Sequence, residues 1–296
     1  MYETILVPTD GSDHAVRAAE HGFYLARALD ATPHLISVVD VQGAAGVFGA
    51  GGVDREFVER LESRGEAAIR EAKGVHGGDG AVETALPRGD PSGAILEYAD
   101  EHGADLIAMG TAGRTGIDRY VAGSVTERVV RRAEVPVLTV RAVDRSRLGG
   151  DYDEILLATD GSDPATAAAD HALGIAKRTG ARIHAVSVVD VRGVLGSPDT
   201  VPAAVTEHVD SRGMAATEAV ASRARDRGVD VRTEVREGVP TTEILGYADE
   251  HGIDLTVMGT AGRTGLDRYL IGSTTARVIR RAETPVLAVR APGSSG

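Results

Sequence analysis

The chain has 296 residues with 32 basic and 44 acidic side chains, a net charge of −12 and no cysteine. Its length suggests two domains, its cysteine count excludes disulfides and thiolate chemistry and makes a cytoplasmic location the default, and its acidity argues against nucleic acid or an acidic membrane as general partners. No apolar run approaches the ~20 residues of a membrane span, and the opening Met1 to Val7 lacks the basic region of a secretory signal. Lys73 and Lys177 are the sole lysines beside many arginines, a halophile-like composition that a GC-rich genome would also produce.

Taken in order, Ile5–Pro8 is an apolar run that predicts a strand, and Asp10, Gly11 and Ser12 then supply turn and helix-capping residues. A helix follows with Ala15, Ala18, Ala19, Gly22, Ala26 and Leu29 on one face. His34–Val41 predicts a second strand, and the glycine-rich 42–52 segment a loop. The charged 53–73 segment predicts a helix with Phe57, Leu61, Ala68 and Ala72 inward, its Glu/Arg pairs forming a solvated face. A third strand is expected over Val82–Leu86. A helix from Pro91 stops at His102 and Gly103, where an imidazole suits the C-terminal end of the dipole. The apolar Asp105–Met109 run is a fourth strand, Val125–Arg132 a last helix and Pro136–Val140 a fifth strand.

All of this returns. The residues from Thr4 to Asp13 reappear as Glu154 to Asp163, and Ser37–Val41 as Ser187–Val191, at an offset of 150. From Asp105 to Arg141 against Asp254 to Arg290, 27 of 37 positions are identical. A repeat this long is a duplicated domain. The expected division is a first domain at 1–143, a linker at 144–152 and a second domain at 153–292. Alternating strands and helices with continuous apolar strands imply parallel α/β sheets covered by helices on both faces. Ligands of such open sheets sit beyond the carboxyl ends of the strands. There Asp10, Val38 and Gly110 gather into one crevice, and Asp160, Val188 and Gly259 into another.

The segment from Gly110 through Gly113 to Gly123 and Ser124, and its copy from Gly259 through Gly262 to Gly272 and Ser273, have one spacing: glycine, two residues, glycine, nine residues, glycine-serine. Each lies between a strand and a helix, where backbone N–H groups and a positive dipole end face an anion. Glycine permits close backbone approach and positive φ, and Arg114 and Arg119 could add charge. The alternative is a tight turn that needs glycine for packing. No Gly-Lys-Ser/Thr follows, so this is not a Walker loop. Asp10 and Asp160 are candidates to accept from ribose hydroxyls, or else to fix the turn through their own backbone; Met109 and Met258 suit base stacking and core filling equally. The histidines lack metal-ligand spacing, and no nucleophile is set against a base.

At these residues the chain resembles the universal stress protein family, in its ATP-binding branch, over Thr4–Arg141 and Asp153–Arg290. The resemblance implies two Rossmann-like sheets, related to the adenine nucleotide alpha hydrolases, each of five parallel strands in the order 3-2-1-4-5. It implies nucleotide contacts at Pro8, Thr9, Asp10, Val38, Met109, Gly110, Gly113, Gly123, Ser124 and Val125. In the second repeat these become Ala158, Thr159, Asp160, Val188, Met258, Gly259, Gly262, Gly272, Ser273 and Thr274. ATP or another adenine nucleotide is the implied ligand, with Mg²⁺ held through its phosphates. The family pairs through its last strand, which implies an intrachain pseudo-dimer of the repeats and further association into a homodimer. Ala158 departs from the proline of the first copy. Thr-Ala between the first glycines replaces the Ser-His or Ser-Arg of many members and removes a side chain near the phosphates.

The expectation is a cytoplasmic, non-catalytic stress-response module gated by nucleotide and read by a regulatory protein, with neither nucleic acid nor membrane as partner. Its rivals are a dimerising scaffold without a ligand, and a weak ATPase or nucleotidyltransferase on the same fold.

Overall fold

The structure is a computed structural model that describes residues 2–48, 54–77, 80–112, 123–190, 203–260 and 271–291. The chain divides into two compact units, Met1–Leu148 and Gly149–Gly296, inside the expected linker. The first unit runs β1 (Thr4–Pro8), α1 (Asp13–Leu29), β2 (Thr32–Ile36), α2 (Val41–Phe48), α3 (Arg55–Lys73), β3 (Glu83–Ala85), α4 (Pro91–Glu101), β4 (Leu106–Gly110), α5 (Ser124–Arg132) and β5 (Val137–Val140). Its strands lie in the order β3-β2-β1-β4-β5, all parallel.

The second unit repeats the pattern with β6 (Glu154–Ala158), α6 (Asp163–Thr179), β7 (Arg182–Val189), α7 (Ala203–Arg227), β8 (Val231–Glu237), α8 (Pro240–Glu250), β9 (Leu255–Gly259), α9 (Ser273–Arg281) and β10 (Val286–Val289). Its order is β8-β7-β6-β9-β10, again parallel. This is the expected 3-2-1-4-5 arrangement, twice.

The strands explain the layering. Successive residues of a strand face opposite sides of the sheet, yet Ile5, Leu6 and Val7 of β1 and every residue of β4 are buried. Both faces are therefore covered. In the first unit α1 packs on α3, and α4 on α5. Among the described residues no helix is long and apolar enough to cross a membrane.

Three readings of the sequence are corrected. Residues 42–48, expected in a loop, and Val41, expected to end a strand, form α2, because the Asp40 carboxylate accepts from the Gly43 N–H at 2.7 Å and starts a helix despite the glycines. The second strand ends at Ile36, with a single further bridge between Val39 and Arg88. On α3, Phe57 and Leu61 are half-buried, while Gly65 and Ile69 join Ala68 and Ala72 inside. The linker begins as a 3₁₀ turn, Asp144–Ser146, docked on α1 through the Ser146 carbonyl, which accepts from His21 Nε2 at 2.8 Å. His102 and His251 end their helices as expected, each donating through Nδ1 to the tyrosine carbonyl one turn back.

His21 gives the first unit a pH dependence. It is 2% exposed, and burial pushes its pKa down to about 4, assisted by Arg17 and opposed by the Ser146 carbonyl. The unfolded chain takes up this proton near pH 6.5 and the folded one near pH 4. Stability is thus full above pH 6.5 and falls as pH drops towards 4, by about 3 kcal/mol. His21→Gln, which retains a donor for Ser146, is expected to flatten that slope in urea titrations between pH 4 and 7. An unchanged slope would remove His21 from the account.

Candidate functional site

Each unit has a crevice at the carboxyl ends of its strands. In the first, the turn after β1 is built by three short side-chain bonds. Thr9 Oγ1 accepts from the Gly11 N–H at 3.1 Å, Asp10 Oδ1 from the Ser12 N–H at 3.0 Å, and Ser12 Oγ from the Ala15 N–H at 3.3 Å, capping α1. Gly11 takes φ 71°, which only glycine adopts without strain. Asp10 therefore does serve the turn, and it lines the crevice as well. The second unit repeats these bonds at Thr159, Asp160 and Ser162. Ala158 leaves the backbone as it is beside Pro8: Thr159 donates to Val186 at 2.9 Å, as Thr9 does to Ile36 at 2.8 Å.

The glycines at the ends of β4 and β9 serve packing. Gly110 lies in the extended strand and not at positive φ, contrary to the sequence reading. A Cβ there would stand 2.7 Å from the carbonyl carbon of His14 and 2.8 Å from the Ala15 nitrogen. At Gly259 the corresponding contacts are Pro164 and Ala165, at 2.8 and 3.0 Å. The missing side chain lets the first turn of the helix after the first strand press against the strand end.

Beyond this point α5 and α9 start at Gly123 and Gly272, neither with a side-chain cap. The helix starts are tied back to the strands. Gly123 N–H donates to Thr111 O and Thr126 Oγ1 to Gly110 O at 2.7 Å; Gly272 and Thr275 make the same bonds to Thr260 and Gly259. First-turn N–H groups and the positive dipole end are thereby held at the crevice.

The first cavity is about 270 Å³ and is lined by Pro8, Thr9, Asp10, Val38, Met109, Gly110, Gly123, Ser124 and Val125, nine of the residues singled out in the sequence. The second, about 580 Å³, is lined by Ala158, Thr159, Asp160, Val188, Met258, Gly259, Gly272, Ser273 and Thr274. Gly113 and Gly262 lie outside the described residues, as do Arg114 and Arg119. The sequence reading missed Pro91 and Ile95, and Pro240 and Ile244, which bring the start of α4 and α8 to the walls. The signal was present, since the strand before each also ends at the crevice. It also missed Thr126 and Thr275, which recur at the third position of both helices. Arg212 lines only the second cavity; Arg64, beside the matching Gly65, does not line the first. Among the described residues no cluster of three or more His, Asp or Glu could hold a metal ion.

The pattern of the Universal stress protein family matches residues 1–141 and again 151–290. A universal stress protein of Methanocaldococcus jannaschii is 43% identical over 142 residues, covering 48% of this chain and 84% of the relative. One from Mycolicibacterium smegmatis is 28% identical over 298 residues, 97% of this chain and 96% of its own. The crystal structure of a universal stress protein from Archaeoglobus fulgidus shares the fold, with a TM-score of 0.69 at 21% identity over 99% of this chain and 97% of that one. Two family matches laid over two crevices of the same build make this chain a member of the universal stress protein family that carries the family's domain twice.

Proposed function

We propose that each crevice binds an adenine nucleotide, ATP with Mg²⁺ held through the phosphates, and that the protein is a nucleotide-gated stress-response module rather than a catalyst. One observation carries the reading: α1, α3, α4 and α6 each begin with a side-chain cap, whereas α5 and α9 begin bare at the crevice, as does α8 at the wall of the second. An anion there completes the first turn and meets the dipole. The base would lie against Met109 or Met258 and the Val38 or Val188 backbone, with ribose hydroxyls donating to Asp10 or Asp160. Binding without turnover is favoured because Asp10 is the sole ionisable side chain on the described wall of the first cavity. Two family domains in one chain supply both halves of an intrachain pseudo-dimer. A homodimer, a regulatory protein partner and a cytoplasmic location complete the proposal.

Denaturing the purified protein and separating the released small molecules is expected to give about two adenine nucleotides per chain. For protein stripped of ligand, ATP with Mg²⁺ at one hundred times Kd should add about 2.7 kcal/mol of stability. If no nucleotide is released and ATP with Mg²⁺ adds no stability, the reading is overturned and a scaffold without a ligand is left.

A further inference from the structure

The two crevices differ at the end that would hold the base. In the second unit β7 stays paired with β8 through Val189 and Glu237. In the first, β2 and β3 pair as far as Ile36 and Ala85 and meet again in one bridge, Val39 to Arg88. The longer strand carries Val189 and Asp190 into the wall of the second cavity, and Arg212 and Gly213 of α7 complete it there. A Cβ on Gly213 would stand 3.0 Å from Val235 of β8 and 3.4 Å from the Ser187 hydroxyl, which fixes this part of α7 over the end of β7. β7 and β9 lie on opposite sides of β6. Arg212 and Asp190 therefore stand on the Val188 side of the crevice, across from Gly272 and Ser273 at the phosphate end.

The first crevice lacks both side chains. Asp40, the counterpart of Asp190, does not line it; its Oδ1 accepts from the Gly43 N–H at 2.7 Å and starts α2. Arg64, the counterpart of Arg212 in an identical Ser-Arg-Gly, does not line it either. Ser37 and Ser187 line both cavities and so do not distinguish them. Arg212 is exposed on α7 and has no carboxylate partner among the described residues, which leaves its guanidinium open to a ligand.

A guanidinium and a carboxylate together match either purine. At the six-position adenine presents an amino donor and guanine a carbonyl acceptor, while N7 accepts in both. Arg212 can donate to guanine O6 and N7. Asp190 can accept from guanine N1–H and its 2-amino group, or from the adenine 6-amino group. The described wall of the first cavity holds no cation. A guanine there would bring O6 to a wall without a charged donor, and an acceptor taken from water and left unmatched costs affinity.

We propose that the second crevice accepts guanine nucleotides as well as adenine nucleotides, with Arg212 and Asp190 reading the base, and that the first accepts adenine alone. This rests on nucleotides binding at both crevices. The phosphate end is built by the same threonine bonds in both units, so the difference between the sites is confined to the base.

Calorimetric titration of the ligand-stripped full chain with ATP and with GTP, each with Mg²⁺, tests it. ATP is expected to fill two sites per chain and GTP one. Arg212→Met keeps a good helix former at an exposed position. It should weaken GTP binding about tenfold or more, through loss of a bidentate contact to guanine, and weaken ATP binding much less. Arg64→Met is the control, with both stoichiometries and affinities unchanged. If ATP fills two sites while GTP fills both or neither, the base-specificity proposal is overturned and the nucleotide reading stands. The same follows if Arg212→Met leaves the ratio of GTP to ATP affinity at the second crevice where it was. Absence of binding by both nucleotides overturns the two together.

Discussion

Gly110→Val is expected to destabilise the first unit by about 3 kcal/mol and to reduce nucleotide binding from two per chain to one. Overpacking a tight contact costs typically ~1–3 kcal/mol, and this case belongs at the upper end because the atoms in the way cannot rotate aside. The Cβ alone would stand 2.7 and 2.8 Å from backbone atoms of His14 and Ala15. Relief requires β4 and the first turn of α1 to part. That movement also displaces the Gly110 carbonyl, which accepts from Thr126 Oγ1 and so positions the start of α5. Loss of stability and loss of the phosphate end therefore share one cause. Urea unfolding and calorimetric stoichiometry measure them separately. A variant of wild-type stability would mean that the strand end yields, and that packing is not why glycine stands there.

Phe23→Ala is expected to cost the most of any single truncation proposed, about 3–5 kcal/mol. Phe23 is 1% exposed in the middle of α1 and meets the edge of the His76 ring at 4.8 Å between centroids. Truncation removes the ring's apolar burial and opens a void between α1 and the segment after α3, where backbone on both sides limits collapse. The urea midpoint should fall without a change in slope. Leu29→Ala is the control: Leu29 belongs to the stripe read from the sequence but is half-buried at the end of α1, so its cost should be clearly smaller. Equal losses would mean that the stripe ranks the core better than burial does.

What the sequence by itself determined is local and periodic. The apolar run of β4, the Asp and Ser caps before α1, Pro91 at the start of α4 and the doubled glycine spacing are each written within a few residues, where backbone sterics and helix geometry decide the outcome. From the alternation of strand and helix, and the rule that open sheets bind ligands at their carboxyl ends, Asp10, Val38 and Gly110 and their copies could be placed in a crevice before any coordinates; the resemblance to the family implied the rest of the nine described wall residues in each. The tertiary structure decided what depends on distant segments meeting. It gave Gly110 to the contact with His14 and Ala15, a role that spacing assigned to conformational freedom. It brought Pro91 and Ile95 to the wall, docked the linker on His21, and joined Asp90 to Arg128 across 38 residues. The change from Asp90 to Val239 reads in sequence as one lost cap. Only the fold shows that Asp90 also meets Arg128 of another helix, a contact that valine cannot make.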